Sequence, residues 1–247
     1  MLDNLITFSA SKEFIRNNQD NLPIPAKTNI PEWYKKLTHS YENQTVKGCM
    51  PFLDTLTTGY LLKIATDYKI KHNVEINGEK KAGFDSAQQM MNSLAERINI
   101  NYQGKPEFHG TDQLAGSPLV SKNKNLAFHK ILNPWIITTP PGYSTLFVPP
   151  LNNTDTRFSI IAGIVDTDTF KNEVNFPIVI NGDKYEILDT IIERGTPYVQ
   201  CIPFKRENWI MKIKPKSDKK YLEDRFFMIK HIVHNYKKIF WKKKSWK

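Results

Sequence analysis

Between Trp135 and Phe204 the chain is cut into short β-branched and aromatic runs by proline and glycine. This punctuation constrains the fold more than any other feature of the sequence. Proline lacks an N–H and fixes φ, so an ordinary helix cannot run through it, and it also ends strand pairing. Trp135-Ile-Ile-Thr-Thr stops at Pro140-Pro141-Gly142, and Tyr143-Ser-Thr-Leu-Phe-Val stops at Pro149-Pro150. Phe158 to Val165 and Val174 to Ile180 are further apolar runs, and Asn181-Gly182 reads as a two-residue hairpin turn. Tyr185-Glu-Ile-Leu and Thr196 to Phe204 follow. Short strands at close spacing predict a mainly β (α+β) fold, a sandwich or jelly roll or a β-clip-like barrel.

Upstream the signal is mixed. Residues 1–48 read as an extended Pro-rich arm, with one helical turn opened by Pro31 and with Trp33 and Tyr34 as apolar anchors. Residues 49–82 read as strands, because Tyr68 to Ile76 alternates with period two and Asn77-Gly78 marks a turn. A helix is expected over 85–97, capped by Asp85 or Ser86, and a loop over 99–125. The expected organisation is an arm at 1–48, a β-rich core at 49–216 and a basic helix and tail at 217–247.

Charge separates that tail from the rest. Residues 205–247 hold fifteen Lys and Arg against four Asp and Glu, a net of +11. The preceding 204 residues carry 20 basic and 21 acidic side chains. Tyr221, Leu222, Phe226, Ile229 and Val233 fall on one helical stripe between Ser217 and Trp241, expected to dock on the body of the protein. Beyond it Lys237, Lys238, Lys242, Lys243 and Lys244 interleave with Phe240, Trp241 and Trp246. Cations among aromatics suit single-stranded nucleic acid, an acidic partner subunit or an anionic surface. These eight residues are the partner-binding candidates, and the chain is expected to work as a homo-oligomer or as a subunit of another assembly.

Most catalytic and metal patterns are missing. No His-x-His or His-x-Asp/Glu pair occurs among the six histidines, so no metal set is expected. Cys49 and Cys201 have no metal or disulfide spacing, which fits a reducing compartment. There is no Walker loop, dinucleotide fingerprint or Gly-x-Ser-x-Gly elbow. With no run of 18 apolar residues and no basic-then-apolar N-terminal leader, the expected location is the cytoplasm, not the secretory route or a membrane span.

One stretch does carry chemistry. Gly163-Ile-Val-Asp-Thr-Asp-Thr-Phe is followed by Gly195-Thr-Pro-Tyr-Val-Gln200, and Pro140-Pro-Gly-Tyr lies upstream. Over about 70 residues this resembles the deoxyuridine triphosphatase family. The resemblance implies that Asp166 activates water, with Asp168 as a second catalytic candidate, Tyr143 and Gln200 as ligand-binding candidates, and Mg²⁺ as cofactor. The family's phosphate-binding segment should fall between Gly142 and Gly163. Here Val148-Pro-Pro-Leu-Asn-Asn occupies that place, with no basic residue before Arg157, and two prolines remove backbone donors that phosphate needs. The competing reading is that Asp166 and Asp168 shape a turn at a strand end. A second resemblance runs from residue 22 to 210. Gly48-Cys-Met-Pro-Phe, Gly59-Tyr, Thr139-Pro-Pro-Gly-Tyr, Gly163-Ile-Val-Asp-Thr-Asp, Arg194-Gly-Thr-Pro and Ile202-Pro-Phe occur in the order seen in an uncharacterised family of tailed phages and bacteria. It implies a phage-encoded protein, in the host cytoplasm or in the virion, and implies no activity. The expected function is non-enzymatic binding or structure with no cofactor, the alternative being a nucleotide-binding or nucleotide-hydrolysing enzyme.

Overall fold

A computed structural model describes residues 4–84, 108–230 and 236–247. The helix expected over 85–97 lies outside the described residues. In chain order the strands are β1 (Thr7–Ser9), β2 (Ile24–Pro25), β3 (Tyr60–Lys63), β4 (Tyr68–Ile76), β5 (Glu79–Phe84), β6 (Phe108–His109) and β7 (Phe128–Ile131). They continue with β8 (Ile136–Thr138), β9 (Tyr143–Val148), β10 (Phe158–Ile160), β11 (Gly163–Val165), β12 (Phe176–Ile180), β13 (Leu188–Ile192) and β14 (Pro197–Lys205). The chain divides into two compact units. One comprises Met1–Ile24 with Tyr60–Lys205, the other Pro25–Gly59 with Arg206–Lys247.

The first unit is mainly β. Its sheets are separate and antiparallel, with orders β11-β9-β14-β3, β10-β12-β7-β6, β13-β4-β5 and β1-β8. They do not close into a barrel, so the β-clip-like barrel is corrected. Proline or glycine lies at or beside the ends of β9 and β11, but Pro177 and Pro203 lie within the paired strands β12 and β14, so proline does not end pairing there as expected. The core gathers Leu62, Ile70, Trp135, Phe147, Ile178 and Tyr198, all nearly excluded from water. Cys201 sits among them, and burial pushes its thiol well up from the ordinary range, leaving it protonated and inert.

Local expectations fare unevenly. Asn77 and Gly78 both adopt positive φ, 53° and 80°, and join β4 to β5 as their pairing predicts. Gly142 has φ 84° and completes the Pro-Pro-Gly turn, where the Tyr143 N–H donates to the Pro140 carbonyl. Asn181-Gly182 is not a hairpin, because β12 pairs with β10 and β7 whereas β13 pairs with β4. Glycine is needed there for proximity, since a Cβ at 182 would lie 2.4 Å from the Lys122 carbonyl oxygen. The 99–125 stretch carries more structure than a loop, with β6, a single 3₁₀ turn at Thr111–Leu114 and a short helix at Pro118–Lys122 capped by Ser117.

The second unit is helical and irregular. Met50–Thr57 is a helix with proline in its first turn, where strands were expected from residue 49. Tyr34 is buried and stacks on Phe52 at 5.9 Å, and Lys47 donates to the Tyr34 and Lys35 carbonyls. Asp218–Lys230 forms the expected C-terminal helix, and Tyr236–Phe240 makes a π-helical turn.

Candidate functional site

The strand-end segment Asp166-Thr167-Asp168 engages the turn between β8 and β9 one residue at a time. Ser144 Oγ donates to Asp166 Oδ1 at 2.6 Å, and the Gly142 N–H donates to Asp168 Oδ2 at 2.8 Å. Between them buried Thr167 bonds through its hydroxyl to Thr139 at 2.7 Å and Thr145 at 2.9 Å. The register explains the order. β11 runs antiparallel to β9 with Val165 opposite Thr145, so the next three residues fall against the turn that starts β9. The Asp166 carbonyl also accepts from the Thr169 and Phe170 N–H groups and starts the following turn. Both carboxylates thus serve as acceptors in turn architecture.

Tyr143 lies at the same end, with its hydroxyl donating to Asn4 Oδ1 at 2.8 Å. Gln200 does not join it. Gln200 sits opposite Val148, whereas Tyr143 sits opposite Lys205. Five residues of strand separate the two positions, roughly 17 Å. The buried Gln200 side chain instead accepts from the Leu151 N–H at 2.8 Å. That bond engages the first backbone donor after Pro149-Pro150, in the segment where a phosphate loop would have to lie. The Asn153 N–H is likewise taken by the Pro150 carbonyl at 3.1 Å. Among the described residues no group of three His, Cys, Asp or Glu gathers as ion ligands.

A buried polar cluster lies elsewhere in the first unit. His72 on β4 and His129 on β7 are both fully buried, with His72 Nδ1 3.2 Å from His129 Nε2. His72 Nε2 lies 3.0 Å from the Asn123 carbonyl oxygen. A carbonyl only accepts, so His72 carries its proton on Nε2 and its Nδ1 accepts from His129 Nε2. Burial holds His129 down at about 3, with the neighbouring His72 a smaller contribution. Burial also lowers His72, partly opposed by its bond to Asn123. The Asn123 amide completes the cluster, accepting from the Ile180 N–H and donating to the Leu126 carbonyl.

The basic tail is partly engaged within its own unit. Trp241 Nε1 lies 3.1 Å from both carboxylate oxygens of Asp54, on the helix Met50–Thr57. Lys244 Nζ reaches Asp54 Oδ2 at 2.5 Å and lies over the Trp241 ring. Lys237, Lys238, Lys242 and Lys243 are exposed, Phe240 is half-exposed, and Trp246 is partly covered. Of the stripe expected to dock, Tyr221, Leu222 and Phe226 are about half-exposed or more.

Among the described residues the largest apolar exposure lies in a segment not among the sequence candidates. Trp209 is 87% exposed, Ile210 95%, Met211 86% and Ile213 85%, in a stretch that joins no helix or strand. Its alternation, Trp209-Ile-Met-Lys-Ile-Lys-Pro, was the available signal. Scanned against protein-family models the chain matches none, and a search of curated proteins finds no match either.

Proposed function

We propose that this chain is a non-enzymatic structural protein that works as a subunit of a larger assembly and docks through residues 206–230. The observation that carries the reading is the near-complete exposure of Trp209, Ile210, Met211 and Ile213. Burying such side chains contributes roughly 1.5–3 kcal/mol each. Four of them reach the scale of the translational and rotational cost of association, about 4–15 kcal/mol. A contiguous apolar patch of this kind marks an interaction site. Ile210, Met211 and Ile213 are aliphatic and offer no face for a base to stack on, which favours a protein partner over nucleic acid. The use of Asp166, Asp168 and Gln200 as hydrogen-bonding partners of backbone and turn argues against the nucleotide-hydrolysing alternative.

The finer expectations follow as part of the same reading. The sheets of the first unit stack as a sandwich or jelly roll, and the protein is phage-encoded and acts in the host cytoplasm or the virion. Light scattering on the full chain tests the assembly. The wild type should run as a dimer or larger species, and a variant with serine at 209, 210, 211 and 213 as a monomer. A monomeric wild type would overturn the reading.

A further inference from the structure

We infer that residues 208–214 add as a strand to the edge of β13 that no described strand pairs, in a second copy of this chain, an inference that rests on the assembly reading. The donor segment has the pattern of a strand. Trp209, Met211 and Ile213 alternate with Ile210, Lys212 and Lys214, and Pro215 ends the run. Aromatic and β-branched residues at period two suit a pleated surface, yet this stretch belongs to no sheet of its own chain.

The acceptor is defined by register. β13 stands at the edge of the sheet β13-β4-β5 and pairs with β4 from Leu188↔His72 to Ile192↔Tyr68. Arg157 Nη1 donates to the Ile191 carbonyl at 2.9 Å, which shows that this carbonyl points away from β4. In an antiparallel strand the N–H and C=O of one residue point to the same side and the side alternates along the chain. The backbone groups of Asp189 and Ile191 therefore face outward. Arg157, itself held by Asp155 in a fork at 2.7 and 3.0 Å, guards only one of them. An incoming strand would give the Ile191 carbonyl an N–H in place of that guanidinium.

Side chains match as well. On β13 and the residues flanking it, Ile187, Asp189, Ile191 and Glu193 read apolar and acidic by turns, and all four are exposed. In an antiparallel register with Ile210 opposite Ile191, Lys212 falls opposite Asp189. Apolar meets apolar and cation meets carboxylate on that face. Trp209, Met211 and Ile213 then extend the opposite face, where Leu188 and Ile192 are buried. Pairing of two 208–214 segments with each other is disfavoured because each 205–247 segment carries a net of +11, whereas the preceding residues are near neutral.

Light scattering over a concentration series, on full-length protein, tests the register. Asp189→Pro removes an outward N–H without removing a bond to β4, a place where an edge strand tolerates proline. It should reduce assembly to the level of the 209–213 serine variant. Lys212→Glu should weaken assembly roughly two- to fivefold, the scale of one cross-strand charge pair. Adding Asp189→Lys to Lys212→Glu should restore it. Should Asp189→Pro fail to fold by circular dichroism, the charge exchange decides alone. Dissociation by the serine variant with no effect of Asp189→Pro or of the charge changes would overturn the β13 edge while leaving the assembly reading intact. A monomeric wild type would overturn both.

Discussion

Acid should destabilise this protein well above the pH at which its carboxylates protonate. His129 has an ordinary value of 6.5 and is held at about 3 when folded, with burial as the main cause. Its neutral form is favoured by folding, so the stabilisation is complete above pH 6.5 and is lost as pH falls toward 3. Each unit below 6.5 removes about 1.4 kcal/mol, because the unfolded chain binds a proton that the folded one refuses. At pH 5 the loss from His129 is about 2 kcal/mol, and His72 shifts in the same direction. For a urea slope of about 2 kcal/mol per molar, that is a fall of about 1 M in the unfolding midpoint. Asp155 does not confuse this window. Burial would raise its carboxyl, but the Arg157 hydrogen bonds outweigh that and hold it below 3.8, so its contribution is lost only at lower pH. The assay is urea unfolding followed by tryptophan fluorescence between pH 7.5 and 5, on the wild type and on the double variant His72→Leu, His129→Phe. The variant leaves the Asn123 carbonyl without its His72 donor and should be less stable at pH 7.5, by about 1–3 kcal/mol. Its midpoint should nevertheless change far less with pH. An equal pH slope in the two proteins would refute the assignment of the neutral pair.

Gln200→Leu should lower the melting temperature by roughly 2–10 °C, since the Leu151 N–H loses its acceptor at a cost of about 1–3 kcal/mol. Calorimetry checks this, and an unchanged melting point would mean that water replaces the amide. Asp54→Ala should release Trp241 and Lys244 and speed tryptic cleavage at Lys242–Lys244 about tenfold, the scale of one charge-assisted hydrogen bond. Equal cleavage rates would show that the tail is held by other contacts.

Proline and glycine made the strand-rich half of the chain readable, because their backbone limits act locally and need no partner. Asn77-Gly78 and Gly142 turned where their positive φ allows. Asn181-Gly182 misled for a related reason. Its glycine answers a non-local need, the approach of the Lys122 carbonyl, which a hairpin signal cannot distinguish from turn geometry. The Asp166-Thr-Asp168 motif was visible, and so was its reading as a turn element, but Ser144 and Gly142 as its partners depended on β9–β11 register. The histidine pair left no trace in spacing, since its members lie 57 positions apart on strands of different sheets. The alternation at 209–214 was legible as a strand pattern, but its exposure is a property of the folded chain.

Asn123 also bears on the order in which the molecule assembles. Its bond to His72 spans 51 residues and its bond to Ile180 spans 57. Loop closure of that length costs entropy before any contact rewards it. The cluster is therefore complete only once β4, β7 and β12 have been brought together. Stopped-flow rates of Asn123→Ala test whether these contacts form after the transition state: faster unfolding at an unchanged folding rate is expected, and slower folding would refute it.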